Sequence, residues 1–456
     1  MRNALLAALT ALSLAACVSA SEPAAQPGDD DSAPASGGMP GVGGSATAGN
    51  GAGAASGTNG AGAAAGTNGA GAAAGTVGAG AAAGTVGAGG STGGTGAGGA
   101  AGTGVSGSGT AGMAGAASPT PQYGHGVQSG MLKSTDSDAA YTAWKSTYLM
   151  SCSDGSMRVN KAGDSVSEGI GYGMLLSVAH GDQASFDGLW KFYSSRKDGK
   201  GLMNWKYSGC GTSPTGSNSA SDGDLDTAMA LVQAAKKWPT GTYGNDAKTL
   251  INAIKAGDVS GTTLIPGDNG YSAPCVNYSY FAPGYYRVFA TVTGDASWTT
   301  LATNTYTLLN QGANGTTGLV PDWQSSCPST DSNKGNYYYD AARTPWRIAV
   351  DYVWFGTPEA STYLNKLVTW VGGAISSVKD GYALNASDPS MALAGSATHS
   401  STFVGPFACA AMAASQAQVD AFVFNFQVIK DTPDYYSASL RAVYMLLMTG
   451  TFDRTT

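Results

Sequence analysis

The chain has 456 residues, a formal net charge of −7 at pH 7 and only three histidines, His125, His180 and His399. Lys and Arg total 23 against 30 Asp and Glu, a balance too acidic to suggest a nucleic-acid partner. So few histidines argue against a histidine-based metal site and the cysteine spacing fits no zinc motif, so neither metal nor cofactor is expected.

At the start, Met1-Arg2-Asn3 leads into an apolar run from Ala4 to Ala16. That run is too short to span a bilayer and fits the core of a secretory signal. It ends in Leu14-Ala15-Ala16-Cys17, which resembles a bacterial lipobox and makes Cys17 the expected lipidation site. With Val18 rather than Asp next, the expected location is the outer membrane or cell surface. No other segment is expected to span a membrane. Residues 18–121 are dominated by Gly, Ala, Ser and Thr, contain no Lys or Arg, and carry a nine-residue repeat seen at Gly57-Thr58, Gly66-Thr67, Gly75-Thr76 and Gly84-Thr85. Nonapeptide repeats can build a calcium roll, but such a roll needs Asp in each repeat and none occurs between Asp31 and Asp136. A disordered linker is expected instead, because nothing in it can bury enough apolar surface to offset its ordering entropy.

Residues 122–456 are expected to form one domain. Helical periodicity predicts twelve helices, near 136–150, 168–181, 183–196, 224–238, 244–256, 279–293, 296–311, 341–355, 358–371, 401–414, 416–428 and 434–449, and strand alternation is rare. In the fourth, Leu225, Met229 and Val232 share a face, Asp222 or Asp224 is placed to cap the start, and Lys236 and Lys237 favour the end. Twelve helices admit an irregular bundle, a superhelical array or two concentric rings of six. Cys409 lies in an apolar run and reads as a buried thiol, while the loop cysteines are paired here as Cys152–Cys210 and Cys275–Cys327, one of several connectivities that sequence leaves open.

Two acidic motifs stand about fifty residues apart, Ser167-Glu168-Gly169 and Ala220-Ser221-Asp222-Gly223-Asp224-Leu225-Asp226. The chain holds three glutamates, Glu22, Glu168 and Glu359, and only Glu168 sits among glycines beside an apolar run. A carboxyl desolvated there has a raised pKa, which suits a proton donor near neutral pH. A third acid, Asp340, lies in Tyr337-Tyr338-Tyr339-Asp340-Ala341-Ala342-Arg343, where Arg343 is three residues away and can keep it ionised as a base. Trp205, Trp323, Tyr172, Tyr280 and Tyr337 to Tyr339 supply aromatic faces beside these acids, and such faces stack on sugar rings. The pattern suggests carbohydrate cleavage by isolated carboxylates.

At these residues the chain resembles glycoside hydrolase family 8. The resemblance covers essentially all of 122–456 and includes Tyr172-Gly173-Met174, Gly201-Leu202-Met203-Asn204-Trp205, Ser279-Tyr280-Phe281-Ala282-Pro283, Gly318-Leu319-Val320-Pro321-Asp322-Trp323 and Asp351-Tyr352-Val353-Trp354. It implies an all-α (α/α)6 barrel and an inverting hydrolase of β-1,4-linked glycans. Glu168 matches the general acid, Asp222 the acid that binds and distorts the central sugar, and Asp340 the general base of the endo-acting cellulases and xylanases. Arg343 and Tyr339 would orient the base, Trp205 and Tyr280 match sugar-contacting positions, and Tyr172 lies in a matching motif and is expected to line the same site. Thr227 stands where Ile or Met is usual, and Pro266 to Tyr271 lacks the tryptophan of family cellulases, with Tyr271 as its candidate substitute.

The resulting expectation is a monomeric, lipid-anchored endo-β-1,4-glucanase acting on a polysaccharide. Xylanase and chitosanase are alternatives within the same mechanism. A surface glycan-binding module and a polysaccharide lyase are alternatives of another class. Three intact acids argue against the first, and the lack of a basic site argues against the second.

Overall fold

The computed structural model describes residues 123–396 and 398–455, so the expected signal, Cys17 and the repeat segment lie outside the described residues. The helices are α1 (Ser134–Tyr148), α2 (Ser167–Ala179), α3 (Gln183–Ser194), α4 (Ser221–Lys237), α5 (Tyr243–Gly257) and α6 (Pro283–Thr293). They continue with α7 (Ser297–Gly312), α8 (Thr344–Phe355), α9 (Pro358–Val371), α10 (Ser401–Ala411), α11 (Gln416–Val428) and α12 (Tyr435–Met448). Each expected helix is present.

Their burial divides them into two sets. Every residue of α10 is buried, and α2, α4, α8 and α12 are covered on nearly all sides. The helices α3, α5, α7 and α9 bury one stripe and expose the other face. A helix apolar all round must be wrapped by others, and an amphipathic one belongs outside. The packing follows: α2, α4, α6, α8, α10 and α12 contact one another in turn, and α12 returns to α2. The outer helices α3, α5, α7, α9, α11 and α1 lie against α2, α4, α6, α8, α10 and α12 in that order. This is an (α/α)6 barrel, which decides among the three arrangements left open by periodicity.

Two expected helices begin differently. The segment expected at 279–293 splits into a 3-10 turn, Tyr278–Tyr280, and α6, which Pro283 opens where its missing N–H costs nothing. Likewise a 3-10 turn, Ala341–Arg343, precedes α8. Seven short strands also occur among the described residues: β1 (Leu149–Ser151), β2 (Met157–Val159), β3 (Asp164–Val166), β4 (Lys206–Ser208), β5 (Pro214–Gly216), β6 (Val259–Ser260) and β7 (Thr263–Leu264). They form three antiparallel sheets, β1-β2, β3-β4-β5 and β6-β7. Segments of two or three residues are too short to show alternation, so sequence periodicity misses them.

Disulfides join Cys152 to Cys210 and Cys275 to Cys327, and Cys409 is a free thiol in the core. His180 ends α2.

Glycine sets the closest approach in the inner ring. A Cβ on Gly223 would lie 2.5 Å from the Ser167 carbonyl carbon and 2.7 Å from the Glu168 nitrogen. One on Gly171 would lie 2.8 Å from the Asp226 Cβ. The backbones of α2 and α4 can therefore touch at their N-terminal ends, which brings Glu168 beside Asp222.

Candidate active site

The N-terminal ends of α2, α4, α8 and α12 converge at one end of the barrel, and each brings a polar side chain to the cluster. Glu168 is the second residue of α2, whose first N–H, from Ser167, donates to the Trp205 carbonyl at 2.9 Å. Asp222 is the second residue of α4, fixed by Ser221, which donates to Pro266 O through its N–H at 3.0 Å and to Ile265 O through its hydroxyl at 2.9 Å. Asp340 is the N-cap residue of the 3-10 turn, Ala341–Arg343, that leads into α8. The buried Asp322 carboxylate accepts from Tyr338 N at 2.8 Å and from Ala341 N at 2.7 Å, bracketing it. Helix N-termini favour negative charge, so three of them can host three carboxylates.

Arg343 ties the three together. Its Nη1 donates to Glu168 Oε2 at 2.6 Å and to Asp222 Oδ2 at 2.7 Å, and its Nη2 donates to Asp340 Oδ1 at 2.6 Å. The arginine side chain is 1% exposed, while Asp340 keeps 28% and Glu168 17%, so water and substrate reach the two outer acids. Two C–N bonds of about 1.33 Å and two such hydrogen bonds cap the Glu168 Oε2 to Asp340 Oδ1 distance at about 7.5 Å.

One guanidinium among three carboxyls leaves the charge uncompensated. Burial pushes the Glu168 carboxyl up, Arg343 opposes this, and the Asp222 charge adds to the rise. Burial also raises Asp340, against Arg343 and against hydrogen bonds from Asn277 and Trp323. Tyr435, the first residue of α12, donates to Glu168 Oε1 at 3.0 Å. Among the described residues, no group of three or more His, Cys, Asp or Glu side chains is arranged to hold a metal ion.

Several expected roles change. Tyr172 is fully buried on α2 and cannot meet a sugar; its hydroxyl lies 3.4 Å from Arg343 Nη1, beneath the site. Arg343 is likewise covered, so it organises the acids rather than offering a free surface to substrate. Tyr339 does not reach the base, since its hydroxyl donates to Asp380 Oδ2 at 3.3 Å. Neither Asp222 nor Asp224 caps α4, because the helix starts at Ser221 and both acids fall inside its first turn. Asp222 faces Arg343, Asp224 accepts from Tyr193, and Asp226 is paired with buried Arg347.

Trp205 is half-buried with its ring against Gly216, and Tyr280 is half-buried with Arg343 Cζ 5.3 Å from its ring centroid. Trp323 lies 6.2 Å from both Tyr280 and Tyr271, so Tyr271 joins an aromatic wall beside Asp340. Sequence reasoning missed Tyr435 and Asn277. The pair Tyr435-Tyr436 at a helix start was the only signal for the first.

A family model for glycosyl hydrolases family 8 matches residues 127–450, the span that carries all of these groups. The chain belongs to glycosyl hydrolase family 8. It is therefore a glycosidase. It is 37% identical to Endoglucanase 2 of Ruminiclostridium josui over 326 residues, which is 68% of this chain and 70% of that protein. It is 33% identical to the Beta-glucanase of Niallia circulans over 362 residues, 72% of this chain and 86% of the relative. Among solved structures, the apo beta-1,3-1,4-glucanase of Paenibacillus sp. X4 aligns with a TM-score of 0.65 and 32% identity, covering 73% of this chain and 98% of that one. The Rex8A structure from Paenibacillus barcinonensis with xylose aligns with a TM-score of 0.61 at 22% identity over 70% of this chain and 94% of that one, a likeness of fold alone. In this family 8 chain the acids matched by resemblance, Glu168, Asp222 and Asp340, are the three that Arg343 gathers.

Proposed function

We propose that this protein is an inverting, endo-acting β-1,4-glucanase, with Glu168 as general acid, Asp340 as general base and Asp222 as the acid that holds the sugar before the scissile bond. The observation that carries the reading is the hydrogen bonding of all three carboxyls to Arg343. Burial keeps a proton on Glu168 to higher pH, so it can protonate the departing glycosidic oxygen. Asp340, more exposed, with Arg343 opposing the rise that burial imposes, takes a proton from a water that attacks the opposite face of the anomeric carbon. Inversion needs carboxyls roughly 6.5–9.5 Å apart, and the cap set by the arginine span is compatible with the lower part of that range. The relatives named endoglucanase and beta-glucanase support a β-glucan as substrate.

The Leu14-Ala15-Ala16-Cys17 motif supports export with a lipid anchor at the outer membrane or cell surface, and 18–121 supports a tether between anchor and catalytic domain. No helix among the described residues is long and apolar enough to cross a membrane. A monomer suffices, since one chain supplies every acid.

The test is reducing-sugar release by the full chain from carboxymethylcellulose, mixed-linkage glucan, xylan and chitosan, with Glu168→Gln as control. Release from the β-glucans that the control loses, with the first-formed anomer inverted, supports the reading. Activity on xylan or chitosan alone would replace the substrate, and a folded but inactive protein that binds glycan would replace the enzyme with a binding module.

A further inference from the structure

The base is held by more than Arg343. Asn277 Nδ2 donates to Asp340 Oδ2 at 3.0 Å, on the oxygen that Arg343 does not use. The amide orientation of Asn277 is fixed independently, because its Oδ1 accepts from the Ser279 backbone N–H at 3.0 Å and from the Ser279 hydroxyl at 2.7 Å. A backbone N–H cannot turn into an acceptor, so the NH2 group must face Asp340. The Ser279 hydroxyl, having donated to Asn277, accepts from Arg343 Nη2 at 3.0 Å. Asp340, Asn277, Ser279 and Arg343 thus close a ring of hydrogen bonds in which every direction is determined.

The ring is anchored from outside. Asn277 bridges to Trp323 in the backbone, Gln324 N donates to Val276 O at 3.0 Å, and the Cys275–Cys327 disulfide joins the two segments. Asn277 is buried, 2% exposed, so its amide has no water to fall back on.

We propose that Asn277 is a positioning residue for the general base, which selects the ionised form of Asp340 and aims its remaining lone pairs at the attacking water. The inference rests on the reading of Asp340 as base. Both carboxylate oxygens already accept from donors that cannot reverse, so a proton on Asp340 would take up one of the remaining lone pairs and weaken both contacts, which are stronger to the anion. The other groups facing Asp340 are the Arg343 guanidinium, the Trp323 indole, the Asp222 and Asp322 carboxyls, and the phenols of Tyr271, Tyr280 and Tyr436. Of these Arg343 and the Trp323 hydrogen bond favour the anion and the two carboxyls oppose it, so loss of the Asn277 donor shifts the balance toward protonation.

The test is the pH profile of kcat for the full chain on the polymer it cleaves, comparing wild type with Asn277→Ala and Asn277→Asp. Asn277→Ala is expected to lower kcat about 10- to 100-fold with KM little changed. It should also move the acidic limb upward by about half a unit to one unit. Asn277→Asp has nearly the same shape, keeps the Ser279 contacts and presents an acceptor to Asp340. Its acidic limb should move further in the same direction, and it decides the matter if the alanine variant does not fold. A wild-type acidic limb and kcat in the folded aspartate variant would overturn the inference. Asp340→Asn separates the two readings: an inactive Asp340→Asn beside an unaltered Asn277→Asp sinks only the role of Asn277, whereas an active Asp340→Asn sinks the base itself. Should no polymer be cleaved, the carbon-13 titration of the Asp340 carboxyl still reads the ring, and an unmoved midpoint in Asn277→Asp would count against it.

Discussion

Arg343 Nη1 donates to Glu168 Oε2 at 2.6 Å although 175 residues separate them in sequence. The same guanidinium also faces Asp222 and Asp340, so it is the only cation hydrogen-bonded to three partly or wholly buried carboxyls among the described residues. Removing it leaves like charges packed together without an opposite charge. Breaking a buried pair by deleting one partner costs about 3–5 kcal/mol. We expect Arg343→Leu to lose glycan hydrolysis by at least about 10³-fold, since the acids are no longer aligned. Its thermal midpoint should fall most at pH 8 and least near pH 4, where protonation relieves the repulsion. An equal loss of midpoint at both pH values would show that packing, not charge, is what Arg343 supplies.

The proposed acid, Glu168, and the proposed base, Asp340, should separate by leaving group. Glu168→Gln removes the proton that the departing oxygen needs, and general acid catalysis contributes about 10²- to 10⁴-fold. An activated aryl glycoside needs little such help, so Glu168→Gln should lose far less activity on it than on polymer. Asp340→Asn removes activation of the water, which both substrates need, so its losses should be alike. Rates for the two variants on both substrates check this, and a parallel pattern would reverse or abolish the assigned roles.

The helices were legible in the sequence because each is long enough to show its period, and burial all round versus on one stripe is written in composition. Arg343 beside Asp340 was legible too, since a spacing of three places them together on a turn. Its bonds to Glu168 and Asp222 were not, because closure of a helical ring brings together residues that no local spacing relates. Tyr172 misled for the same reason. Beside an acid it reads as a sugar platform, but α2 is an inner helix covered on nearly all sides, and its tyrosine is fully buried beneath the site. Asp224 reads as a capping acid because its partner, Tyr193, comes from a distant segment, and the pairing of Asp226 with Arg347 is hidden in the same way.

Asp224 and Asp258 make stability depend on pH. Both are fully buried, each has one carboxyl oxygen without a hydrogen-bond partner, and burial pushes both well above the usual carboxylate range. A group whose folded pKa exceeds its unfolded value binds more protons when folded. Its stabilising contribution is therefore complete below the unfolded value, about 3.9, and is lost as pH rises through the folded one. The thermal midpoint should consequently fall between pH 5 and pH 8. Asp258→Asn keeps the oxygen that accepts from the Ser219 hydroxyl at 2.7 Å and removes the charge. It should flatten that dependence and raise the midpoint at pH 8 by about 2–4 °C. Calorimetry of both proteins across this range checks the sign, and a variant less stable at pH 8 than wild type would contradict it.

Gly223 couples the packing of the inner ring to the chemistry. A methyl group there would meet the backbone of Ser167 and Glu168 at 2.5 and 2.7 Å, and backbone cannot rotate away as a side chain could. Gly223→Ala must therefore push α2 and α4 apart at the end that carries Glu168 and Asp222. Overpacking of this kind costs about 1–3 kcal/mol, which a barrel with so large a core can bear. The catalytic cost is of a different order, because a displacement of about 1 Å at reacting groups costs about 10²-fold. The variant is expected to fold with a modestly lower thermal midpoint and to lose about 10²-fold in kcat/KM. Gly171→Ala, which meets the Asp226 side chain one turn deeper, should lose stability with less effect on rate. If Gly223→Ala keeps wild-type kcat/KM while losing stability, the close approach of α2 and α4 serves the fold alone and does not set the spacing of the acids.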